Sequence, residues 1–400
     1  MSSKNVYLPS KPRYEILDGL RGVAALLILA FHIFENESHS TATQIINHGY
    51  MAVDFFFLLS GFVIGYAYDD RWDKMTLGGF FKRRLARLHP MALMGTFIGV
   101  LLFFLGADGF RLANEAPAWK MIVCFLLAIF LIPVGPSMDF RGWREMYPFN
   151  GPTWTLFYEY IANILYALFI RKLPKWALGI CVGLFAFLLV DRIFGLGTFG
   201  VVYNVGRLGG GWTLEQNHLY TAICRLLYPF FCGLLIQRIG KFIKVKNGFW
   251  WCALAVALMF CLPRFGAAPS FDRATGMRDP GGVIYNGIYE ALCVLVFMPL
   301  VILMGAGSTV SGKSQKICKF IGEISFPLYI THYPTMYLHV QWVNMHREAP
   351  LAQHIAVGVS VYIISLLVAY ACYKLYDIPV REWFKEHWLK NPAKKAEIQV

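Results

Sequence analysis

Apolar stretches long enough to cross a lipid bilayer recur along almost the whole chain, and a transmembrane helix needs about 20 such residues. Hydrophobic residues make up 57% of the 400 residues and charged residues 15%, whereas soluble domains have about 25% charged residues. The sequence therefore predicts an all-α, polytopic membrane helix bundle. Eleven candidate spans lie near residues 16–34, 50–68, 90–107, 119–134, 153–170, 176–194, 218–237, 250–262, 282–304, 320–340 and 355–377.

Lysine and arginine are concentrated in alternate loops, and the formal net charge is +13. Cytoplasmic loops of membrane proteins carry an excess of these residues, so the basic segments, both termini included, are predicted to be cytoplasmic. Since the charge is spread over separate loops rather than over one face, no nucleic-acid partner is expected. The basic segments are residues 4–13, 71–87, 171–175, 238–246, 313–319 and 381–395.

The number of membrane crossings follows from the rule that two loops on the same side of the membrane are joined by an even number of crossings. Three of the segments, 91–107, 119–134 and 153–170, lie between basic loops that should share one side, so one of them should fail to span. Segment 119–134 is short and ends in Pro-Val-Gly-Pro, which predicts a re-entrant or interfacial segment. About ten transmembrane helices remain. The predicted domains are a cytoplasmic tail at 1–15, a membrane domain at 16–377 and a basic cytoplasmic tail at 378–400, in the inner or plasma membrane.

Arg21 and His32 lie inside the first apolar stretch, where titratable side chains are costly and usually functional. Their positions differ by eleven residues, about three helical turns, so both lie on one helix face about 16 Å apart along the axis. The predicted topology places Arg21 in the cytoplasmic half of the membrane and His32 in the outer half. Histidine titrates near neutral pH, which makes His32 the candidate general base.

A basic cluster precedes the apolar helix that begins near Pro90. Such clusters commonly fix orientation and contact anionic lipid, which is the interpretation for Lys82 and Arg83. Arg84 and Arg87 are three residues apart and share a helix face. Because guanidinium forks fit phosphate oxygens, this pair is predicted to bind a phosphate-bearing donor at the cytoplasmic mouth.

Another apolar stretch opens with Trp154, Thr155 and Glu159. Thr155 and Glu159 are four residues apart on one face. The predicted topology places Glu159 in the outer half of the membrane, and this lone carboxylate is either functional or tied to Arg or Asn in the bundle. Trp154 is either a supporting residue of the site or an interfacial anchor.

A later stretch places Ser325, Tyr329 and His332 on one side of a helix. Pro327 and Pro334 are expected to bend or break that helix, as often occurs beside a cavity. His332 is a second catalytic candidate, and a histidine satisfied within the core is the alternative.

Several other features are predicted to be structural. Asp54 should pair with a cation such as Arg225, while Asp191 and Glu290 are charges at membrane depth without an assigned partner. The glycine-rich stretch 206–211 is predicted to be an external loop, and since no strand precedes it, a phosphate-binding loop is excluded. Nine scattered cysteines without a C-x-x-C pair predict neither a disulfide framework nor a metal site.

Together these stretches resemble the acyltransferase-3 family of integral membrane acyltransferases. The resemblance covers residues 17 to about 335, and the five elements occur in the order of the family. They are Arg21-(ten residues)-His32, F-F-x-x-S-G-F at 56–62, Arg84-x-x-Arg87 with Pro90, W-[ST]-L-x-x-E at Trp154–Glu159, and S-[FY]-x-L-Y-x-x-H at Ser325–His332.

The resemblance implies about ten membrane helices and transfer of an acyl group, usually acetyl, from acyl-CoA to a hydroxyl of a sugar or glycan on the far side of the membrane. It also implies that Arg21, His32, Arg84 and Arg87 are functional. The chain departs from the family pattern at Thr155, where serine is commoner, and no extracytoplasmic hydrolase-like domain is expected beside the membrane domain. Either the membrane part completes the transfer or a separate extracytoplasmic transferase does so.

The resulting hypothesis is O-acetylation of a cell-envelope polysaccharide or another glycan, lipid-linked or not, with acetyl-CoA as donor and no metal. The three arginines would bind the donor, and His32 would act as base, oriented by Glu159 or Glu35. The oxyanion would be stabilised by one of three hydroxyls, those of Tyr329, Ser325 and Thr155. A secondary transporter or exporter of an anionic metabolite is the main alternative because transporters also use buried charges and broken helices.

Overall fold

The computed structural model describes residues 11–38, 44–106, 115–266, 270–271, 278–279 and 282–389. Helices dominate these residues, and the strands among them are a two-residue antiparallel pair, β1 (Ser270–Phe271) and β2 (Arg278–Asp279). The all-α membrane bundle is therefore confirmed. The helices are α1 (Glu15–Glu37), α2 (Ala52–Tyr68), α3 (Leu77–Phe104), α4 (Ala118–Ile129), α5 (Thr153–Leu168), α6 (Lys175–Phe194), α7 (Gln216–Ile239), α8 (Gly248–Cys261), α9 (Val283–Leu292), α10 (Met298–Gly307), α11 (Gly312–Met345), α12 (Leu351–Cys372) and α13 (Ile378–Phe384).

The basic segments meet at one end of the bundle, which we call the basic end. Contacts between them join segments that are distant in sequence. The opposite end is formed by the loops that follow α1, α6 and α11, among others. The contacts at the basic end include Lys11 with Asp70 at 2.7 Å, Arg238 with Asp69 at 2.7 Å, Arg238 with the Leu173 carbonyl at 2.7 Å, and Gln315 with Glu15 at 2.8 Å.

Ten helical passages connect the two ends within the described residues. They are α1, α2, α3, α5, α6, α7, α8, α9 continued by α10, α11 and α12. Seven helical segments are long and apolar enough to cross a membrane by length and composition. The other three passages are α5 with 16 residues, α8 with 14, and the more polar α11 with 34.

Helix α4 enters from the end opposite the basic end and does not cross. Its 12 residues rise about 18 Å, well short of the hydrocarbon thickness of about 30 Å. The chain then turns at Leu131, whose φ is +55°, and returns, so that Lys120 near the start of α4 contacts the Asp139 carbonyl at 3.2 Å. The Tyr147 hydroxyl donates to the Leu131 carbonyl at 2.7 Å, which satisfies the backbone at the turn. The structure thus supports a re-entrant segment at 119–134.

Two pairs of helices pack with their backbones in contact. A Cβ atom on Gly61 of α2 would lie 1.9 Å from the Phe230 carbonyl oxygen of α7, and one on Gly233 would lie 2.0 Å from the Leu58 carbonyl oxygen. Similarly, a Cβ atom on Gly22 of α1 would lie 2.6 Å from the backbone of α11. Only glycine permits these approaches.

Helix α11 continues through Pro327 and Pro334, so of the predicted bend or break, the break does not occur. Pro334 has no N–H to donate to the Ile330 carbonyl, four residues earlier. The side-chain amide of Asn150 donates to that carbonyl at 2.8 Å instead. A tertiary hydrogen bond therefore replaces the one that the backbone of Pro334 cannot form.

Candidate active site

Two imidazoles face each other in the half of the bundle away from the basic end. The rings of His32 on α1 and His332 on α11 are stacked, with centroids 5.5 Å apart and planes inclined by 26°. Tyr333 packs edge-on against His32 with centroids 4.9 Å apart. The close packing of α1 on α11, made possible by Gly22 and its neighbours, brings these rings together.

His32 is held by a carboxylate one helical turn further on. Its Nδ1 lies 2.8 Å from Oε2 of Glu35. An ionised carboxylate only accepts hydrogen bonds, so Nδ1 is the donor of this bond, and in a neutral imidazole the lone pair is then on Nε2. Of the two partners expected from the sequence, Glu35 rather than Glu159 holds this imidazole.

His332 is fully buried, and its Nδ1 lies 2.8 Å from the Tyr329 carbonyl and 3.1 Å from the Leu328 carbonyl. Both partners are acceptors, so this Nδ1 also carries the proton. Its Nε2 is buried and has no hydrogen-bond partner among the described residues. Buried polar atoms are normally hydrogen-bonded, so this lone pair favours a functional interpretation over that of a satisfied core histidine.

The three hydroxyls from the sequence prediction give their protons to different partners. Thr155 donates to the Pro152 carbonyl at 2.9 Å, and Ser325 donates to the Gly322 carbonyl at 2.7 Å. The Tyr329 hydroxyl lies 3.0 Å from the Thr155 hydroxyl and, since Thr155 donates elsewhere, Tyr329 is the donor of this bond. Tyr329 alone of the three gives its proton to another side chain.

The predicted donor-binding arginines form one cluster towards the basic end. Arg87 lies close enough to Arg84 and Arg21 to interact with both electrostatically, and Arg381 of α13 joins them. Arg21 pairs with Asp18 at 3.0 Å. The sequence predicts that Arg84 and Arg87 lie at the cytoplasmic mouth and that Arg21 lies deeper in the membrane. The structure places the three arginines in one cluster.

Carboxylates balance most of this cluster. Asp377 pairs with Arg381 at 2.6 Å, and Glu159 pairs with Arg84 at 2.7 Å. Arg87 has no ion pair of its own among the described residues, and Nε of Arg84 is buried there without a hydrogen-bond partner. These unmatched donors are suited to an anionic ligand.

Glu159 lies deeper than the sequence suggested, since it was placed in the outer half of the membrane and away from Arg84. Besides Arg84 it contacts the Ser60 hydroxyl of α2 at 3.1 Å. The reason is that α5 begins well below the outer end of α3: a Cβ atom on Gly95 of α3 would lie 2.6 Å from the amide of Asn150, which precedes α5.

A third cluster supports the bundle between α2 and α7. Arg225 pairs with Asp54 at 2.7 Å, and both side chains are buried. The predicted pairing of Asp54 is thereby confirmed. The guanidinium of Arg225 also lies 5.7 Å from the Trp154 ring. Trp154 is buried, so it packs inside the bundle and is not an interfacial anchor.

Some residues near these clusters were not singled out from the sequence. Tyr333 follows His332 directly, and Ser60 belongs to the F-F-x-x-S-G-F stretch, so local motifs could have indicated both. Arg381 and Arg207 lie in other parts of the chain, and no local pattern connects them to the clusters. All nine cysteines are unpaired, as expected.

Comparison with known proteins agrees with this architecture. The family described as an acyltransferase domain matches residues 14–374. The chain belongs to this acyltransferase family. It is therefore a membrane acyltransferase, and the resemblance of its five motifs to the acyltransferase-3 family is confirmed.

Three named proteins are similar in sequence to this chain. Protein 2 in the picA locus of Rhizobium radiobacter is 32% identical over 167 residues, which is 39% of this chain and 81% of that protein. Acyltransferase MdmB of Streptomyces mycarofaciens is 32% identical over 183 residues, 43% of this chain and 44% of that protein. O-acetyltransferase OatA of Staphylococcus aureus is 23% identical over 401 residues, 97% of this chain but only 60% of OatA. No solved structure matches the chain.

Proposed function

We propose that this acyltransferase moves an acyl group, acetyl in the simplest case, from cytoplasmic acyl-CoA to a hydroxyl of a sugar or glycan on the other side of the membrane. One observation supports the proposal above all. Helix α1 carries Arg21 into an arginine cluster at the basic end and His32 into an imidazole pair about 16 Å further along. OatA is named an O-acetyltransferase, which favours acetyl and a hydroxyl acceptor.

The arginine cluster is assigned to the donor. Arg87, which has no ion pair among the described residues, and the free Nε of Arg84 would bind phosphate oxygens, and Arg21 would contribute a third guanidinium. Planar guanidinium groups bind phosphate in a bidentate manner. Acyl-CoA supplies the thioester, and the slender pantetheine portion fits a separation of about 16 Å between phosphate and reacting carbon.

The basic end is assigned to the cytoplasm. Loops rich in lysine and arginine remain on the cytoplasmic side of membranes, and in the described residues the basic segments share one end of the bundle. Both termini are then cytoplasmic, and the imidazole pair faces the acceptor in an inner or plasma membrane. Residues 1–10 and 390–400 lie outside the described residues.

His32 is assigned as general base. Its Nε2 takes the proton of the acceptor hydroxyl while the hydroxyl oxygen bonds to the thioester carbonyl carbon. The carbon–sulfur bond then breaks, and the proton passes to the sulfur, which leaves as the CoA thiol. Glu35 holds Nδ1 and stabilises the imidazolium that forms.

Tyr329 and His332 complete the proposed centre. Tyr329 is favoured over Ser325 and Thr155 as oxyanion donor because its hydroxyl proton is not given to a backbone carbonyl. The buried Nε2 of His332 would accept a hydrogen bond from the acceptor and orient it beside His32. A sugar hydroxyl is the acceptor of the direct transfer; if a separate extracytoplasmic transferase completes the reaction, the membrane part would acylate a carrier instead.

Purified protein in proteoliposomes tests the proposal. Wild-type protein should release CoA thiol from acetyl-CoA in the presence of a glycan acceptor, and His32→Ala should not. His346→Ala is the matched control because His346 is exposed near the same end and contacts Trp342; its activity should equal that of the wild type. Movement of an anionic metabolite without thiol release would instead establish the transporter.

A further inference from the structure

The glycine-rich loop 206–211 is held inside the bundle by buried polar side chains. The sequence predicts an external loop, yet all but one of its residues are buried. Gly206 has φ +74°, and a Cβ atom there would lie 2.2 Å from the Val283 carbonyl oxygen, so the loop conformation is closely determined. Side chains from three helices bind its backbone. The bonds are Arg192 to the Gly209 carbonyl at 3.3 Å, Arg225 to the Gly210 carbonyl at 2.9 Å, Asn286 to the Gly206 carbonyl at 2.6 Å, and the Leu208 N–H to Glu290 at 2.6 Å.

The arginines that bind this loop are not all paired with carboxylates. Arg225 forms a buried ion pair with Asp54 at 2.7 Å. Arg192 is fully buried, but its hydrogen-bond partners among the described residues are neutral. They are the Thr221 hydroxyl and the carbonyl oxygens of Tyr203 and Gly209. An unmatched charge is costly at membrane depth, so its presence calls for a compensating group.

Glu290 is the second carboxylate at the loop, and it accepts hydrogen bonds from neutral donors. His48 lies 3.8 Å from it and can add only positive charge. Asp191 of α6 is bound by a backbone N–H and a tyrosine hydroxyl, and it pairs with no arginine in the described structure. Two carboxylates, Asp54 and Glu290, therefore face three arginines once Arg207 of the loop itself is counted. The described groups around the loop carry an excess positive charge.

Arg207 is the half-buried residue of the loop, and of the three arginines it is the one that a ligand can reach. Its guanidinium carbon lies 4.8 Å from the centre of the Tyr50 ring. Its Nε is buried and has no hydrogen-bond partner among the described residues, and the side chain makes no ion pair with them. Buried donors are normally hydrogen-bonded, so Arg207 offers free N–H groups to an anion, as Nε of Arg84 does in the cluster assigned to the donor.

The position of Arg207 relates it to the other end of the reaction. Loop 206–211 follows α6 and belongs to the end opposite the basic end. The Tyr50 ring lies 5.9 Å from the Phe31 ring, and a Cβ atom on Gly49 would lie 2.3 Å from Cβ of Phe31. Phe31 directly precedes His32 on α1. The free guanidinium therefore lies against the segment that packs on the turn of α1 carrying His32.

We infer that Arg207 forms a second anion site, which binds the phosphate group of a phosphorylated acceptor. The assignment to the acceptor rests on the proposed function, whereas the binding of phosphate does not. A phosphate monoester carries more negative charge than a carboxylate and presents three acceptor oxygens, which match the paired N–H donors of a guanidinium. Such a ligand would satisfy the free Nε and compensate the excess positive charge at the loop. A neutral sugar would do neither.

Thermal unfolding of the purified protein in detergent tests phosphate binding. CoA is present at saturation in every sample, so that the arginine cluster at the basic end is occupied. A ligand that binds the native state raises the unfolding temperature, and titration gives its affinity. Glucose 1-phosphate should bind the wild type, and Arg207→Gln should weaken this binding by about 10- to 100-fold, the loss expected for hydrogen bonds to a charged group. Methyl glucoside, which is neutral, should bind both proteins equally.

Two phosphate probes distinguish the sources of the phosphate. Geranyl phosphate represents the phosphate of a lipid carrier, and glucose 1-phosphate represents that of a sugar phosphate. Arg207→Gln should weaken the binding of both, and the probe that binds the wild type more tightly identifies the source. Glucuronate presents a carboxylate on the sugar ring. Binding of glucuronate as tight as that of glucose 1-phosphate, with the same dependence on Arg207, would overturn the assignment to phosphate.

The assignment to the acceptor is tested by inhibition of thiol release in proteoliposomes. Glucose 1-phosphate or geranyl phosphate should compete with the glycan acceptor and not with acetyl-CoA. Competition with acetyl-CoA alone would place the phosphate in the arginine cluster and overturn the inference. Arg207→Gln should relieve the inhibition, which loss of a purely structural side chain would not do.

Arg347→Ala is the matched control, because Arg347 is an exposed arginine near the same end that contacts Asn344; its affinity for the probes should equal that of the wild type. Arg207→Lys retains the charge without the planar fork and should bind phosphate with intermediate affinity. If Arg207→Gln does not fold, equal affinities of Arg207→Lys and wild type would overturn the inference.

Equal affinities of wild type and Arg207→Gln for both phosphate probes would overturn it as well, and so would the absence of binding to the wild type. Absence of thiol release from acetyl-CoA in the wild type would refute the proposed function instead. The phosphate titration does not depend on that reaction, so the two failures are distinguishable.

Discussion

The two polar centres on α1 differ in how their groups are satisfied. Towards the basic end, guanidinium groups are paired with carboxylates, as in Arg21 with Asp18, and the cluster keeps spare N–H donors. At the other centre, Nδ1 of His32 and Nδ1 of His332 are both engaged, and Nε2 of His332 has no hydrogen-bond partner among the described residues. One centre offers N–H donors that suit negative charge and the other offers imidazole nitrogens that suit a proton, which is the division that the proposed acyl transfer across a membrane requires.

The most direct test of this comparison is to remove the imidazole of His32. His32→Ala should lower the rate of thiol release by about 10²–10⁴-fold, the contribution expected of a general base. The KM for acetyl-CoA should stay near that of the wild type, because the proposed donor site lies at the other centre. Steady-state kinetics measures both values. A variant that retained more than a tenth of the wild-type rate would remove His32 from the chemistry.

The buried ion pair of Arg225 and Asp54, between α2 and α7, is a useful reference for the comparison because it belongs to neither centre. Arg225→Ala leaves the Asp54 carboxylate buried without its partner, which should destabilise the protein by about 3–5 kcal/mol. Thermal unfolding in detergent measures this effect. The exposed control Arg347→Ala should unfold with the wild type, and equal melting of Arg225→Ala and wild type would show that the ion pair is dispensable.

At the arginine cluster, Arg87→Ala should weaken binding of acetyl-CoA by about 10- to 100-fold, since a hydrogen bond to a charged group contributes about 1.5–3 kcal/mol. Arg87 is the informative position because it has no ion pair among the described residues, whereas Arg84→Ala would strand Glu159. Lys82→Ala, an exposed residue of the same helix, is the control. Binding of acetyl-CoA measured by calorimetry would contradict the assignment if Arg87→Ala and Lys82→Ala gave equal affinities.

The smallest expected effect is that of Tyr329→Phe. Loss of one neutral hydrogen bond costs about 0.5–1.5 kcal/mol, so kcat should fall by roughly two- to tenfold with little change in either KM. Ser325→Ala should have less effect, because its hydroxyl donates to a backbone carbonyl. A larger loss in Ser325→Ala than in Tyr329→Phe would transfer the proposed oxyanion contact to the serine.

Much of the fold could be predicted from the sequence because the membrane imposes it. Span length and loop charge predicted ten crossings. Parity showed that one of three segments fails to span, and the short length and Pro-Val-Gly-Pro ending of segment 119–134 indicated that it is the one that turns back. The unbroken α11 could not be predicted, because the group that satisfies the carbonyl freed by Pro334 is Asn150, far away in the sequence. The sequence near a proline shows that a backbone carbonyl loses its hydrogen bond, but it does not show which distant residue replaces that bond.

The candidate site was predictable where its parts lie on one helix. The spacing of Arg21 and His32 placed them on one face, and Glu35 was within one turn of His32. Contacts between helices were harder to predict from the sequence. The depth of Glu159 depends on how far α5 sits below α3, and the burial of loop 206–211, which was predicted to be external, depends on side chains of α6, α7 and α9.

The glycine contacts between α2 and α7 have a mechanical consequence. The main chains of α2 and α7 touch at Gly61 and Gly233. No layer of side chains separates the two helices there, so they have no surface along which to slide. Transport by alternating access requires one group of helices to rock against another, and this seam does not provide such freedom. A reactant slender enough to thread a static bundle suits the protein better than a cargo that must be passed across by movement of whole helices.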